Sequence, residues 1–515
     1  MVAEEHDWPD GLMFWPPLQI GWQSTFIARM FLMRTAMLAA DLGTGKSVMA
    51  LGVAGLAFEQ DEIDHVLVVC KPNKLAASEW PADFRRFTRI QAAVYHGPRR
   101  KRILEGPLPQ AIITTYETAR DDLAVFPPKK SRSRTLAPGP LMTALRGTRV
   151  LVVYDEITKL GRRTSNLYKA HHWALQQLRK HAPTMAIGLS ATPMDTDLEN
   201  IYNEMRVIIP SMPLVKDFEE NVVAGRDDYG RPYYRKDGKE WLRAVVEPWI
   251  LRKRKSDPDV RGSFPPLIEE FRRLRMHPDQ SRLYEDLEDL AWDPVTRERI
   301  DVPGLDVLLK QLAGDPWAVL EAGRTGSSPL ARMVAAELAG ELEKCSSAKA
   351  DELLVIADLV MAGGGKILVF TFFGGTVIPA LRRRLGDRPV YEYHGGLTQA
   401  ERERQKTLFR DHNGGAILLA SDAGADGMNL PWITYTIEYE AARTHALRLQ
   451  RSGRGHRLGK EDPLTFITLV LEGTIEAANS VPSLMARNAD QDLILGDEGA
   501  DGYVTAGDPR SCRWA

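Results

Sequence analysis

Two short segments, far apart in the chain, carry the residue types of phosphate chemistry. The first is Ala40–Ser47, reading ADLGTGKS, and the second is Gln450–Gly459, reading QRSGRGHRLG. Gly43, Thr44 and Gly45 form a turn whose backbone N–H groups can approach phosphate oxygens at the positive end of a helix dipole. Lys46 is placed to neutralise the β- and γ-oxygens of a nucleotide, and the Ser47 hydroxyl suits a Mg²⁺ ion. In the second segment, Arg454 and Arg457 stand three residues apart, roughly one helical turn, so both guanidiniums are expected to face the same way. Taken together, the segments predict an ATP site assembled from distant halves of one chain.

A third group lies between them. Asp155 and Glu156 end the apolar run Val150–Tyr154, which brings their carboxylates to a strand terminus. There Asp155 can hold Mg²⁺ while Glu156 orients or deprotonates an attacking water. The next apolar run ends in Ser190-Ala191-Thr192-Pro193, whose hydroxyls are candidates for linking such a site to a moving partner.

Positioning these groups requires a parallel sheet, because open α/β sheets bind ligands at the C-terminal ends of their strands. Thr35–Ala40, His65–Cys70, Ala111–Thr115, Val150–Tyr154 and Met185–Leu189 read as buried strands separated by helical stretches. Trp241–Lys255 reads as one helix closing on the basic cluster Arg252–Lys255, and the residues from His277 to Lys344 read as mostly helical. A second α/β pattern begins near Ser347, with candidate strands Lys366–Phe370, Val390–Tyr393, Ala416–Ala420, Tyr435–Tyr439 and Leu464–Leu469. The expected fold class is therefore α/β, with two tandem parallel-sheet lobes and a mostly helical insertion between them. Lobe one is assigned to residues 1–255, with a basic loop at 127–140 and an insertion at 200–255. A helical linker follows at 256–345, lobe two at 346–495 and a flexible polar tail at 496–515.

Composition narrows the class of function. With 515 residues the chain exceeds a single core. A net charge of −2 excludes a uniformly basic coat, so any nucleic-acid contact must come from local patches. Lys129, Lys130, Arg132 and Arg134 in the 127–140 loop form one such patch, or equally a solvated linker. The three cysteines, Cys70, Cys345 and Cys512, form no CxxC pair, which fits a reducing compartment better than a disulfide framework or a zinc site. Met1–Asp10 is polar and acidic, unlike a secretory leader. The apolar stretch Phe26–Leu42 is interrupted by Arg29, Arg34 and Asp41. A cytoplasmic protein without a membrane span is expected.

In this order the motifs resemble those of superfamily 2 helicase-type motors, and within them the Snf2-like DNA translocases. The resemblance runs from about residue 10 to 480, and it implies that both lobes are RecA-like P-loop lobes. It covers GWQSTFIARMF, ADLGTGKS, VLVVCKPNKLAASEWPADFRRF, IITTYET, YDEITKLGRRTSNLYKA and LSATPMDTDLENIYN. Further along it covers PWILRKRKSDPDVRGSFPPLIEEFRRLRMHPDQSRLYEDL, KILVFTFF, YHGGLTQAERERQKTLF, LLASDAGADGMNL and QRSGRGHRLG. It implies that Gln23 reads adenine, with Gln19 as the alternative, and that Arg454 and Arg457 act as arginine fingers. Asp426 and Gly427 would lie near the nucleotide, and Gln450 would face it. It also implies ATP and Mg²⁺ as cofactors and duplex DNA as the partner held through its backbone, RNA being the weaker alternative. Protein partners in repair or replication and a monomeric state belong to the same reading, as does a compact bacterial or phage-type origin. Competing readings are a strand-separating helicase, a non-hydrolysing ATP-gated DNA scaffold, and the motor part of a restriction or repair assembly. The sequence departs from the family at Thr158, where a His is usual. It departs again at Ala442-Arg443-Thr444-His445, where an aromatic-Asn-Pro segment is usual, and at Lys460, where Gln is common.

Overall fold

The computed structural model describes residues 13–14, 21–76, 79–128, 135–191, 197–227, 230, 232–293, 295–296, 298, 300–326, 328–422, 428, 430–457 and 460–480. The chain divides into two compact units between Ser263 and Phe264.

The first unit is built on a seven-stranded sheet. Its strands are β1 (Thr35–Ala40), β2 (His65–Cys70), β3 (Ala92–Val94), β4 (Ala111–Thr115), β7 (Val150–Asp155), β8 (Thr184–Ser190) and β11 (Ile250–Lys253). Two short antiparallel pairs, β5 (Ala124–Val125) with β6 (Ala137–Pro138) and β9 (Val223–Arg226) with β10 (Pro232–Tyr234), lie outside it. The order β11-β1-β8-β7-β2-β4-β3 is parallel throughout. β1 and β7 are buried at every position, as expected of strands covered by helices on both faces. The register aligns Ala39 with Ser190, Leu189 with Asp155, Tyr154 with Val69 and Ala40 with Lys253. One edge of the sheet thus collects the strand termini that precede the glycine loop, the acidic pair and Ser190.

The second unit carries a six-stranded parallel sheet of order β12-β17-β16-β13-β15-β14. Its strands are β12 (Leu267–Leu274), β13 (Lys366–Thr371), β14 (Val390–Tyr393), β15 (Ala416–Ser421), β16 (Tyr435–Glu438) and β17 (Leu464–Leu471). Helices Pro278–Glu288, Leu305–Gly314, Pro316–Thr325, Pro329–Glu337 and Ala339–Lys344 pack around Leu283, Leu308, Leu309, Leu312, Val319 and Leu342. That cluster also reaches Leu471 at the end of β17, so the helical segment shares a core with the second sheet.

The α/β class holds, with two parallel sheets and a mostly helical insertion. Three strands of the two large sheets escaped the sequence reading, as did the two short antiparallel pairs. The helix expected over Trp241–Lys255 stops at Val246, because Pro248 cannot extend it, and Ile250–Lys253 becomes the edge strand β11. β12 lies within the segment expected to be helical, and its LIEEFRRL sequence carries charges on both faces, as an edge strand tolerates. β3 has only three residues. The basic patch at 129–134 and the tail from 481 lie outside the described residues. Among the described residues no helix is long and apolar enough to cross a membrane.

Candidate nucleotide site

The glycine loop leaves β1 and enters the helix Lys46–Glu59 as its sequence requires. Gly43 and Gly45 both adopt left-handed conformations, with φ of 83° and 87°, and Gly45 is the N-cap of the helix. A side chain at Gly45 would be strained by its φ and would also meet Gln23 Nε2 at 2.8 Å. Thr44 is buried and its hydroxyl donates to Asp41 O at 2.7 Å, bracing the turn. Ser47 follows in the first helical turn, half-buried. Asp41 fastens the loop to the strand beside it. Its backbone N–H donates to Lys253 O at 3.1 Å, and its carboxylate accepts from Lys255 N at 2.9 Å.

Lys46 curls back on its own loop, donating to Ala40 O at 2.6 Å and Asp41 O at 3.0 Å. Burial, reinforced by the Lys74 charge, pushes its ammonium down to about 8, against the pull of Asp41, Asp155 and Glu156. An ammonium this poorly solvated and held by carbonyls alone is suited to receiving a phosphate. Gln23 is buried, and its amide donates to Thr44 O at 2.9 Å, so it touches the loop directly.

Asp155 and Glu156 emerge at the same sheet edge, separated from β1 by β8 alone. Asp155 Oδ2 accepts from Lys74 Nζ at 2.7 Å and from Trp80 Nε1 at 2.8 Å. The Tyr116 hydroxyl donates to the Asp155 carbonyl at 3.1 Å. Glu156 has a left-handed backbone, φ 58°, and pairs with Lys71 and more distantly with Lys74, at 3.8 Å. Backbone strain at a non-glycine residue beside an acidic site is consistent with a functional constraint. Lys71, Lys74, Trp80 and Tyr116 were not singled out from the sequence. Strand order brings them here, because β2 pairs with β7, and nothing in a linear reading shows that adjacency.

The residues fit a nucleotide triphosphate with a divalent ion. The loop offers backbone donors and one ammonium. Among the described residues there is no cluster of three or more His, Cys, Asp or Glu side chains that could hold a metal. Mg²⁺ takes one or two carboxylates and completes its shell with water and phosphate oxygens, which Asp155 and a bound triphosphate can supply.

The second segment lies in the second unit, where the arginines divide into two kinds. The helix His445–Ser452 ends at Gly453, so Arg454 and Arg457 lie in the turn beyond it. The expectation that they share one helical face is therefore corrected: Gly453 and Gly455 break the helix before the spacing can act. Arg454 is buried and donates to Met428 O at 3.4 Å, while Arg457 and Gln450 are half-buried. Upstream, Arg448 and Arg451 are buried in a carboxylate network. Arg451 makes a two-pronged pair with Asp422, both contacts 2.8 Å, and donates to Glu438 at 3.1 Å and Glu440 O at 2.8 Å. Arg448 donates to Glu438 and Glu269 at 2.8 and 2.9 Å. Their guanidiniums also stack on aromatic rings, Arg451 over Phe372 at 4.7 Å and Arg448 over Phe271 at 4.7 Å. Gly427 and Asp426, like Thr192 and Pro193, lie outside the described residues.

The departures from the family also acquire a structural account. Thr444 is the N-cap of the arginine helix, its hydroxyl accepting from Leu447 N at 3.1 Å. Arg443 stacks over Phe372 at 4.5 Å in place of an aromatic side chain. Lys460 donates to Ile433 O.

Comparison with known proteins agrees with this architecture. Residues 24–312 match the SNF2-related domain, and residues 349–459 match the helicase conserved C-terminal domain. The chain is 23% identical over 455 residues to a putative ATP-dependent helicase/translocase, YwqA, of Bacillus subtilis, covering 86% of this chain and 44% of that protein. It spans about half or less of the length of the curated relatives it matches first. Among solved structures, the Pyrococcus furiosus Hef helicase domain aligns over 90% of this chain and 97% of that one, with 16% identity and a TM-score of 0.54. The Sulfolobus solfataricus SWI2/SNF2 ATPase core in complex with dsDNA aligns over 95% of both chains, with 22% identity and a TM-score of 0.41. With more than half its length matched by one domain family, the chain belongs to the SNF2-related domain family.

Proposed function

We propose that the chain is an ATP hydrolase that moves along duplex DNA, remodelling the DNA or the proteins bound to it. The observation that carries this reading is the first unit's sheet edge. There a left-handed glycine loop, a poorly solvated lysine and an acidic pair converge in a chain of the SNF2-related family. The relatives' printed names, helicase and translocase, point the same way.

The roles follow from the chemistry. Gly43, Thr44 and Gly45 present backbone donors to the phosphates, Lys46 neutralises them, and Gln23 borders the loop where the base would lie. Ser47 and Asp155 would hold Mg²⁺, which when bound neutralises the charge on the phosphate oxygens. Glu156 would orient the attacking water and take its proton. Arg454 and Arg457, carried over from the family resemblance, would stabilise the transferring phosphoryl group, with Gln450 and Gly427 beside it. Arginine fingers contribute about 10³–10⁵ in rate. Motion along phosphates rather than base edges gives little sequence specificity.

The test is ATP turnover measured without nucleic acid and with single-stranded DNA, duplex DNA, branched DNA and RNA. Stimulation is expected to be strongest with duplex, and equal turnover without any nucleic acid would refute the motor reading. Triplex displacement without strand displacement separates a duplex translocase from a strand-separating helicase. Nucleotide binding with no turnover at all would leave only an ATP-gated scaffold.

A further inference from the structure

The acidic pair is already engaged by two lysines that no nucleotide-binding motif supplies. Asp155 and Glu156 are expected to receive a divalent ion and a water, yet the cations facing them come from the start of the segment after β2. Lys74 lies on the short helix Pro72–Ala76, and its ammonium is 2.7 Å from Asp155 Oδ2 and 3.8 Å from Glu156 Oε1. Lys71 pairs with the other oxygen of Glu156. Lys46 does not take part in these contacts and binds its own loop carbonyls instead. Within the first unit the acidic pair is therefore neutralised by the neighbouring strand.

We propose that Lys74 is a built-in counter-cation of this site, which holds Asp155 in a metal-excluding state and must swing away before a divalent ion can bind. The proposal rests on the reading of Asp155 as a metal ligand, and it stands on geometry. Asp155 Oδ2 already accepts from both Lys74 and the Trp80 indole, which together use the lone pairs of that oxygen. Mg²⁺ requires carboxylate oxygens at about 2.0–2.1 Å in near-octahedral array. With the ammonium on Oδ2, a divalent ion on either carboxylate oxygen would stand within a few ångströms of it and be strongly repelled in so buried a place. Trp80 is neutral and buried, and can keep its bond while Lys74 leaves.

Lys74 has the means to move. Its charge sits at the end of a flexible four-carbon stem, and its side chain keeps some contact with solvent, 17% exposed against 3% for Asp155. An ammonium that leaves one carboxylate is drawn to another anion. A phosphate supplies one, whether from the nucleotide or from a nucleic-acid backbone. If it is the backbone, the same lysine carries stimulation by nucleic acid into the ATP site: the phosphate takes Lys74, and the freed carboxylate takes the metal.

Mn²⁺ binding to the full chain, followed by electron paramagnetic resonance, tests this without any turnover. Lys74→Met is expected to lower the Mn²⁺ concentration for half-saturation by about tenfold or more relative to the unaltered chain. Adding Asp155→Asn to that variant is expected to abolish the gain. Lys74→Gln, which keeps a neutral donor to Asp155, should behave like Lys74→Met and guards against misfolding, which unfolding temperatures monitor. Equal Mn²⁺ midpoints with and without Lys74 in folded protein would overturn the proposal. A non-hydrolysable ATP analogue or a DNA duplex, added separately and corrected for the Mn²⁺ each binds without protein, should lower the midpoint more in the unaltered chain than in Lys74→Met, and the one that does so identifies the phosphate. No change with either would refute displacement by phosphate. Analogue binding in saturating Mg²⁺ is measured in parallel: its absence would refute the nucleotide site, while the Mn²⁺ comparison in nucleotide-free protein would still decide the role of Lys74.

Discussion

The two sheets are built alike but handle charge in opposite ways. At the edge of the first sheet, charged groups are held by neighbours that can be exchanged. Lys46 rests on carbonyls of its own loop, and Asp155 accepts from a lysine whose side chain reaches solvent. In the second unit, the charges around β16 are locked to one another. Glu438 is fully buried and joins Arg448 to Arg451, and Arg451, 1% exposed, is fixed further by Asp422. Loosely held charge is available to a ligand, whereas interlocked charge positions the chain. Arg448 and Arg451 are anchors that hold the helix leading to Arg454 and Arg457.

The division can be broken by mutating one arginine of each kind. Arg457→Ala is expected to lower ATP turnover by about 10³–10⁵-fold, on the order of 4–7 kcal/mol of barrier, with nucleotide affinity kept within a few-fold. Steady-state turnover beside equilibrium nucleotide binding checks this, and an unchanged rate would exclude Arg457 as a finger. Arg451→Met should instead act on stability, because it leaves Asp422 and Glu438 without their buried partner. Breaking such a pair costs about 3–5 kcal/mol. Denaturant unfolding should show the loss, and a variant as stable as the unaltered chain would erase the distinction between anchor and finger.

Much of this was legible in the sequence, and the reasons differ by residue. The ten strands read as apolar runs are all present: nine are mostly buried and have no polar face to obscure them, while the half-buried edge strand β14 shows through its Val390 and two tyrosines. The glycine loop is legible because its chemistry is local, with Gly43, Gly45, Lys46 and Ser47 contiguous. β11 and β12 were hidden because edge strands tolerate charge, and helical spacing then competes with alternation. Lys74, Trp80 and Arg451 were hidden because their meaning depends on strand order. The QRSGRGHR run marks four basic side chains, but no spacing rule shows that Asp422 and Glu438 stand beneath one of them.

Glu440 sharpens the comparison from the acidic side. It is buried at the end of β16, accepting from Thr371 Oγ1 and Phe372 N, both at 3.1 Å. Burial, with Glu476 adding to it and Lys349 opposing, pushes its carboxyl up to about 7. A carboxyl raised in the folded state binds more protons there than in the unfolded chain. Its contribution is therefore fully present below the unfolded pKa, near 4.5, and lost as pH rises through about 7. Glu440→Gln should remove this dependence, making the variant more stable than the unaltered chain at pH 8 by up to about 3 kcal/mol. The gain should vanish near pH 5. Thermal unfolding at the two pH values measures it, and a variant less stable at both would mean that Glu440 is needed as an anion, like Glu438.

The smallest effect tests whether the anchored helix keeps its start without the family's usual Asn-Pro. Thr444 accepts from Leu447 N and so satisfies one of the backbone donors left open at the helix N-terminus. Asn caps by the same geometry and ranks slightly above Thr, so Thr444→Asn should leave stability within a few tenths of a kcal/mol or raise it. Thr444→Ala removes the acceptor and should cost about 1 kcal/mol. Because Arg448 and Arg451 hold the helix from within, the lost cap should fray only its first turn. Hydrogen exchange should therefore quicken at Leu447 and leave the amides near Arg451 protected. Exchange quickening along the whole helix would show that the cap, and not the buried arginines, holds this segment on the sheet.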